Sequence, residues 1–517
     1  MQRIAVIGGG LGGLFTGALL AKEGYKVTVL EKNHTLGGGL QTFLRHGMRF
    51  ETGMHILGGL REGGSIWKIC RYLGIDIITD DQGEMPLRND KTIVLRPTDA
   101  GCMDSITYLK HHKTYCIPEG REAFVKYFSK EFPHEAEHIH DYVDALFELA
   151  EEVDLFWMRR GSDALFSHSE RFLWSADELI AHYIQDERLR DVLAYMNPMY
   201  GGVKGHTPAY IHALINVLYI TGPSRFVGGS QQLADALATV IREHGGEVIT
   251  DAEVVRIVVD DHQATAIELS NNGTVIKDFT QVVSAIHPAA LLPLCTTGAF
   301  PKSYTTRVNE IPNTYSAFTL YIQFKENAFP YINHTCYEQD DYGEVWEHGE
   351  YDAHDWPKGF MYMTPADAVD APQTYASKMI INCLMPFSVV ERWENTHVGH
   401  RGEEYKIWKQ QHVEKVLDKM ELLYPGFRNT VQYVEASSPL TIRDYYHQPQ
   451  GALYGMRKDC RNIMLSQIPL YTKVRNLFLT GQNINLHGIC GVPLTAINTA
   501  EAIMGEKVLV ERINSAG

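Results

Sequence analysis

Apolar and polar positions follow three different rhythms along this 517-residue chain. Near the start, Ile4 to Ile7 is a short unbroken apolar run, the pattern of a strand buried on both faces. Leu14 to Lys22 predicts the helix after it, with Gly24 as its stop, and Val27 to Leu30 is a second β-branched run ending on Glu31. Together these make a βαβ unit. FVGGSQQLADALATVIREHGGEVITDAEVVRI, from 226 to 257, predicts an amphipathic helix with Leu233, Leu237, Val240 and Ile241 on one face, closed by Gly245 and Gly246 and followed by a strand. Near the other end, NLFLTGQNINLHGICGVPLTAINTAEAIMG (476 to 505) predicts a strand from Leu477 to Thr480 that ends at Gly481. A loop holding Gly488 and Gly491 then leads to a helix starting near Val492. In between, Ser175-Ala176-Asp177-Glu178 is a capping box, Leu189, Val192, Leu193 and Met196 form the stripe of a further helix, and Phe318 to Phe324 alternates like a strand.

Between the first strand and helix, Gly8, Gly10 and Gly13 form GxGxxG. A glycine weakens a helix by about 1 kcal/mol relative to alanine, so a cluster at a helix start needs a compensating reason. The first makes a tight turn, the second lets backbone approach a pyrophosphate, and the third lets helix and strand pack closely, while the helix N-terminus offers N–H donors to the phosphates. Glu31, eighteen positions after Gly13, stands where a carboxylate accepts both ribose hydroxyls; it would repel a 2'-phosphate, which disfavours NADP here. Gly37 and Gly38 follow by a short loop that brings backbone to the same dinucleotide a second time, a contact nicotinamide dehydrogenases do not usually need.

The run from Glu31 through Gly38 to FETGMH at 50 to 55 resembles the family of FAD-dependent phytoene desaturases, carotenoid isomerases and all-trans-retinol saturases, nearest the saturase branch in its GMH, and the fit extends along most of the chain. The resemblance implies an α/β fold: a Rossmann-like FAD-binding domain of the two-dinucleotide-binding-domain flavoprotein type, with an inserted mixed sheet-and-helix substrate domain. With glycine-rich halves at both ends, the FAD domain is expected to be discontinuous, over 1–100, 220–300 and 440–517, with 100–220 and 300–440 building the substrate domain. The family pattern assigns FAD contacts to Gly8, Gly10, Gly13, Glu31, Lys32, Gly37 and Gly38, to the backbone of Val254 at the adenine, and to Gly481, Asn483, Gly491 and Val492. The amide of Val492 would face the pyrimidine edge of the flavin, where fixed N–H dipoles stabilise negative charge. Gln482 and Asn483 stand where many flavoproteins carry an acid, and either amide can hydrogen-bond ribityl hydroxyls. The implied substrate is an apolar polyene or isoprenoid-like lipid in a tunnel ending at the flavin, with hydride transfer at flavin N5, NAD(P)H as candidate external reductant and peripheral membrane contact as a route for the lipid.

Composition narrows the partners. An apolar share of 44% fills two cores, and a formal charge of −16 argues against a nucleic-acid footprint and against electrostatic attraction to anionic membranes. The eight cysteines include no CxxC pair, which points to reduced thiols and a cytosolic setting. The first strand begins too soon after Met1 for a secretory signal, and no apolar run reaches membrane-spanning length. The aromatic-rich stretch from 195 to 219 is expected to be mostly core, with substrate lining as its other reading.

For proton transfer the candidates are His55, Tyr454 and His487, with His55 preferred. His134-Glu-Ala-Glu-His138 matches HExxH, but with no supporting ligand elsewhere it is expected to be a solvated helix face and not a metal site. Cys490, inside the proposed flavin loop, is expected to be a small packing residue. Two alternatives stand beside the main reading: a flavin amine oxidase, which normally shows GGR where this chain has Gly39 and Leu40 after Gly38, and a non-catalytic flavin-binding or lipid-binding protein.

Overall fold

The computed structural model describes residues 2–80, 89–161, 166–271, 273–368 and 372–516. Its first elements are strand β1 (Arg3–Ile7), helix α1 (Leu11–Lys22) and strand β2 (Lys26–Leu30). β1 lies at the centre of a five-stranded parallel sheet in the order Glu247–Ile249, β2, β1, Gln281–Ser284, Leu477–Leu479. Five strands from across the chain therefore meet in one sheet, and the central strand β1 is buried from Ile4 to Ile7, as expected of a parallel sheet covered on both faces.

α1 packs against the helices Gln231–Glu243 and Gly488–Met504. Every residue from Gly12 to Ala21 is buried, so the helix has no polar face to show. It begins at Leu11 and not at Leu14, which brings Gly12 and Gly13 into its first turn. The C-terminal helix likewise begins at Gly488 and not near Val492, so Gly488 and Gly491 belong to its first turn and not to a loop. In both places glycine disfavours helix intrinsically, and tertiary packing overrides that preference.

A second, seven-stranded sheet runs in the order Val431–Ser437, Ser316–Phe324, Lys378–Met385, Gly359–Met363, Thr335–Gln339, Asp104–Tyr108, Lys113–Ile117. The alternation of Phe318 to Phe324 separates two apolar environments and not core from water. Phe318, Leu320 and Ile322 pack with the side of the helix Gly402–Leu423 that carries Trp408, Val416 and Met420. Tyr321, with Tyr337, Met361 and Ile380, belongs to the largest core, shared with the helices Ala136–Glu151 and Ala209–Ile220. The Ser175 capping box is present in both of its hydrogen bonds. The next helix, Glu187–Leu193, stops short of Met196, and the chain turns through 194–196 into a short helical turn at Asn197–Met199.

Gly13 shows how tightly α1 is seated. A Cβ there would overlap the Gly8 carbonyl oxygen, with Val6 close behind. Gly13→Ala must push α1 off β1, so the expected outcome is a loss of about 2 kcal/mol in urea unfolding, in the usual range for overpacking. A denaturation midpoint equal to that of the unaltered protein would contradict this account.

Candidate functional site

A cleft of about 1290 Å³ opens at the carboxyl ends of β1 and β2 and is lined by Gly8, Gly10, Glu31, Lys32, Gly37, Gly38, Val254, Gly481, Asn483 and Val492. Gly13 lies behind this lining, seated on Gly8, and Gly491 is packed against Leu486 in the first turn of the C-terminal helix. The two glycine-rich ends of the chain thus meet at one place. A Cβ on Gly12 would come within 2.9 Å of the Gly481 Cα, and one on Gly38 within 3.2 Å of the Gly10 Cα. The loop at 37 is held by Gly37 N–H donating to the Gly9 carbonyl at 2.8 Å. Ser230 and Gln231, at the start of the predicted amphipathic helix, anchor the same loop by donating to the Leu40 and Leu36 carbonyls.

Glu31 is fixed by two backbone donors, Gly9 N–H to Oε2 and Asn33 N–H to Oε1, each at 2.8 Å. Burial raises its pKa while these two N–H groups oppose the shift. Lys32 reaches the Asp444 carbonyl at 3.3 Å, and burial lowers its pKa. Ala252 N–H donates to the Glu31 carbonyl at 2.8 Å, which brings Val254 to the same end of the cleft.

Neither α1 nor the helix Gly488–Met504 has a side-chain cap at its N-terminus. The first-turn N–H groups of both are therefore left for whatever the cleft holds. A cradle made of uncapped helix starts, close backbone approaches and an anchored carboxylate fits a dinucleotide along its length. Of the amides Gln482 and Asn483, the second is committed elsewhere, since its Oδ1 accepts from Met456 N–H at 2.8 Å, while Gln482 lines the cleft.

The three proton-transfer candidates all line this cleft but differ in their bonds. The Tyr454 hydroxyl donates to the Pro198 carbonyl at 2.9 Å, and burial raises its pKa, so its proton is held. His487 stands at the N-cap position of the C-terminal helix, its ring lies 4.9 Å from that of Tyr454, and its Nε2 is buried without a partner among the described residues. Burial, with Lys458 nearby, pushes its pKa down to about 4, so the imidazole is neutral at pH 7. The His55 Nδ1 stands 3.4 Å from Glu51 Oε1, and both atoms are buried with no hydrogen-bond partner among the described residues.

Sequence reading missed Glu51 as a partner although it lies inside FETGMH, four positions before His55. It also missed Lys458, whose buried ammonium donates to the Asn483 carbonyl at 3.0 Å and whose pKa burial lowers to about 8. A lone asparagine in the apolar strand KMIINCLM was a visible signal for a third, Asn382, which lines the cleft beside Thr319. Cys490 lines it too, with its thiol directed to the Gly58 carbonyl at 2.7 Å and its pKa pushed up to about 12 by burial. The aromatic stretch divides: most of it is core, and Met199, Ile215, Leu218 and Tyr219 form the apolar inner end of the cleft.

The HExxH residues do not share one helix. The helix begins at Ala136, His134 lies in the preceding turn and pairs with Asp186 at 3.0 Å, and His138 meets Glu135 at 2.7 Å. Glu135 also accepts from Gln185 N–H, at 2.9 Å, and from Asp186 N–H, which makes it a structural anchor. Among the described residues no group of three or more histidine, cysteine, aspartate or glutamate side chains could hold a metal ion, and no helix is long and apolar enough to cross a membrane.

Comparison with known proteins agrees with this geometry. The family model described as flavin containing amine oxidoreductase matches residues 11–504. The chain is 26% identical to an all-trans-retinol 13,14-reductase of Danio rerio, over 99% of this chain and 87% of that protein. It is 22% identical to a 4,4'-diapolycopene oxygenase of Methylomonas sp, over 96% of each. Among solved structures, an oxidoreductase from Methanosarcina mazei shares the fold with a TM-score of 0.63 at 17% identity, covering 98% of this chain and all of its own.

The neutral state of His487 has a measurable consequence. Its folded pKa of about 4 lies below the ordinary value of 6.5, so between these limits the unfolded chain binds more protons and stability rises with pH. His487→Asn is expected to flatten the rise in unfolding free energy between pH 4 and 6.5 by an amount on the order of 1–3 kcal/mol. Parallel curves for the two proteins across that window would show that His487 does not titrate in this way.

Proposed function

The chain belongs to the flavin containing amine oxidoreductase family, and from that premise we propose an FAD-dependent oxidoreductase that acts on a carbon–carbon bond of an apolar polyene or isoprenoid-like lipid. The carrying observation is that one cleft runs from the glycine cradle to an inner end walled by Ile56, Met199, Ile215, Leu218 and Tyr219. Such a wall binds an extended apolar chain and excludes water from the reacting carbons, where polar side chains would be needed to recognise an amine.

When bound, the flavin supplies hydride chemistry at its N5 position. The protein's own part is positional and electrostatic. Uncapped N-termini at α1 and at the C-terminal helix hold negative charge, and the buried Lys458, beside the Asn483 carbonyl, adds a positive charge below the same loop. His55, which lines the cleft, is the proposed proton donor in the saturating direction, delivering a proton to one carbon of the double bond. In the reverse direction it accepts that proton. Glu51 faces the other ring nitrogen and thereby turns Nε2 towards the substrate.

NAD(P)H is the proposed external reductant. The exposed Val398 and Tyr445 at the rim of the cleft support a peripheral membrane contact through which the lipid arrives.

Anaerobic turnover tests the reading. The flavin of the loaded protein, reduced beforehand, is expected to reoxidise on addition of all-trans-retinol with formation of a product one double bond shorter, and His55→Gln to slow this about 100-fold or more. Peroxide release with amines and no reaction with polyenes would replace it with amine oxidation. A flavin inert towards both would favour a non-catalytic carrier.

A further inference from the structure

Part of the cleft lining is the inner face of the seven-stranded sheet, and it carries a polar pair that faces the cleft. Thr319 and Asn382 sit directly across from each other on adjacent antiparallel strands. Asn382 has apolar surroundings along its strand, preceded by Ile380 and Ile381 and followed by Cys383 and Leu384, with Met361 as its other cross-strand neighbour, while the other neighbour of Thr319 is Ser437. Both residues line the cleft.

A polar side chain in such a lining costs free energy unless its hydrogen bonds are made. The Thr319 hydroxyl donates to Asn382 Oδ1 at 2.5 Å, and that bond fixes the amide with its oxygen turned along the sheet. The NH₂ group of Asn382 is then left without a protein partner among the described residues and has the cleft before it. The neighbouring polar group on the sheet is already spent, because the Tyr321 hydroxyl donates to the Thr52 carbonyl at 3.1 Å. Asn382 is thus a preset donor with apolar neighbours along its own strand.

We propose that Asn382, oriented by Thr319, is the oxygen-recognition subsite of the cleft, which takes the hydroxyl or carbonyl oxygen of an oxygenated apolar chain and so selects such a chain over a pure hydrocarbon polyene. The proposal rests on the polyene reading above and narrows its substrate class. The donor accepts either oxygen type as a partner, whereas a hydrocarbon placed against it leaves the amide unsatisfied in a dry site. Discrimination then arises from the unpaired donor as much as from the bond gained. Among the described residues the bond of this side chain is to a residue on the neighbouring strand, so the geometry survives as long as the sheet register does.

Equilibrium binding to the FAD-loaded protein, read by quenching of tryptophan fluorescence, tests this with two probes: all-trans-retinol, and the hydrocarbon in which hydrogen replaces its hydroxyl group. Retinol is expected to bind about tenfold more tightly. Asn382→Leu should bring the two affinities together, and Thr319→Val, which frees the amide to rotate, should reduce the preference part of the way. The visible flavin spectrum of each variant reports that the fold is kept, and Thr319→Val carries the test if Asn382→Leu loses flavin. Equal affinities in the unaltered protein, or a preference that survives in Thr319→Val and in a flavin-retaining Asn382→Leu, would overturn the subsite while leaving the polyene reading in place. Failure of both probes to bind a protein with a normal flavin spectrum would overturn the polyene reading, and the subsite with it.

Discussion

Three stretches of backbone, at residues 8–13, 37–38 and 481, come together without side chains between them, and most of this structure follows from that meeting. A single Cβ on Gly12, Gly13 or Gly38 would push against Gly481, Gly8 or Gly10. The contact fixes where α1 starts, and α1 in turn packs on two helices from residues 231–243 and 488–504. The central sheet then has to recruit strands from near 28, 248, 282 and 478, so a unit discontinuous in sequence is the geometric consequence of one close approach.

The cleft that results has two chemical halves. One is made of backbone: N–H groups at two helix starts, and a carboxylate, Glu31, which backbone donors hold in place. Nothing in this half depends on long side chains, so it is rigid and suits a large, invariant ligand. The other half is made of side chains from helices and from the seven-stranded sheet, and its polar members include His55, Tyr454, His487, Cys490 and the Thr319–Asn382 pair. Burial drives the electrostatics there. It keeps His487 neutral, lowers the pKa of Lys458, and raises those of Cys490 and Tyr454, so few charges survive beside the reacting position. Polar atoms left in such a setting are few and therefore informative.

What could be foreseen was local. The βαβ unit, the GxGxxG turn, Glu31 at the end of β2, the amphipathic helix after 230 and the capping box at Ser175 each depend on residues within one turn or one strand of each other. The misjudged boundaries have a common cause. Both glycine-rich segments were expected to be loops up to Leu14 and Val492, because glycine disfavours helix in isolation, whereas packing against the sheet extends the helices to Leu11 and Gly488. HExxH misleads for the same reason in reverse, since its spacing is helical but Pro133 starts a separate turn that takes His134 away to Asp186.

The sequence by itself determined that two glycine-rich helix starts and a carboxylate at the end of β2 exist, since these signals are short-range and tied to backbone conformation. Only the tertiary structure decided what each side chain in the cleft is free to do. Tyr454 is tied to Pro198, some 256 positions away, Asn483 to Met456, and Thr319 to Asn382 across 63 positions, while Glu51 and His55 are left facing each other without a hydrogen bond. Whether a buried group is free or committed depends on partners brought near by packing, and sequence periodicity carries no record of that distance.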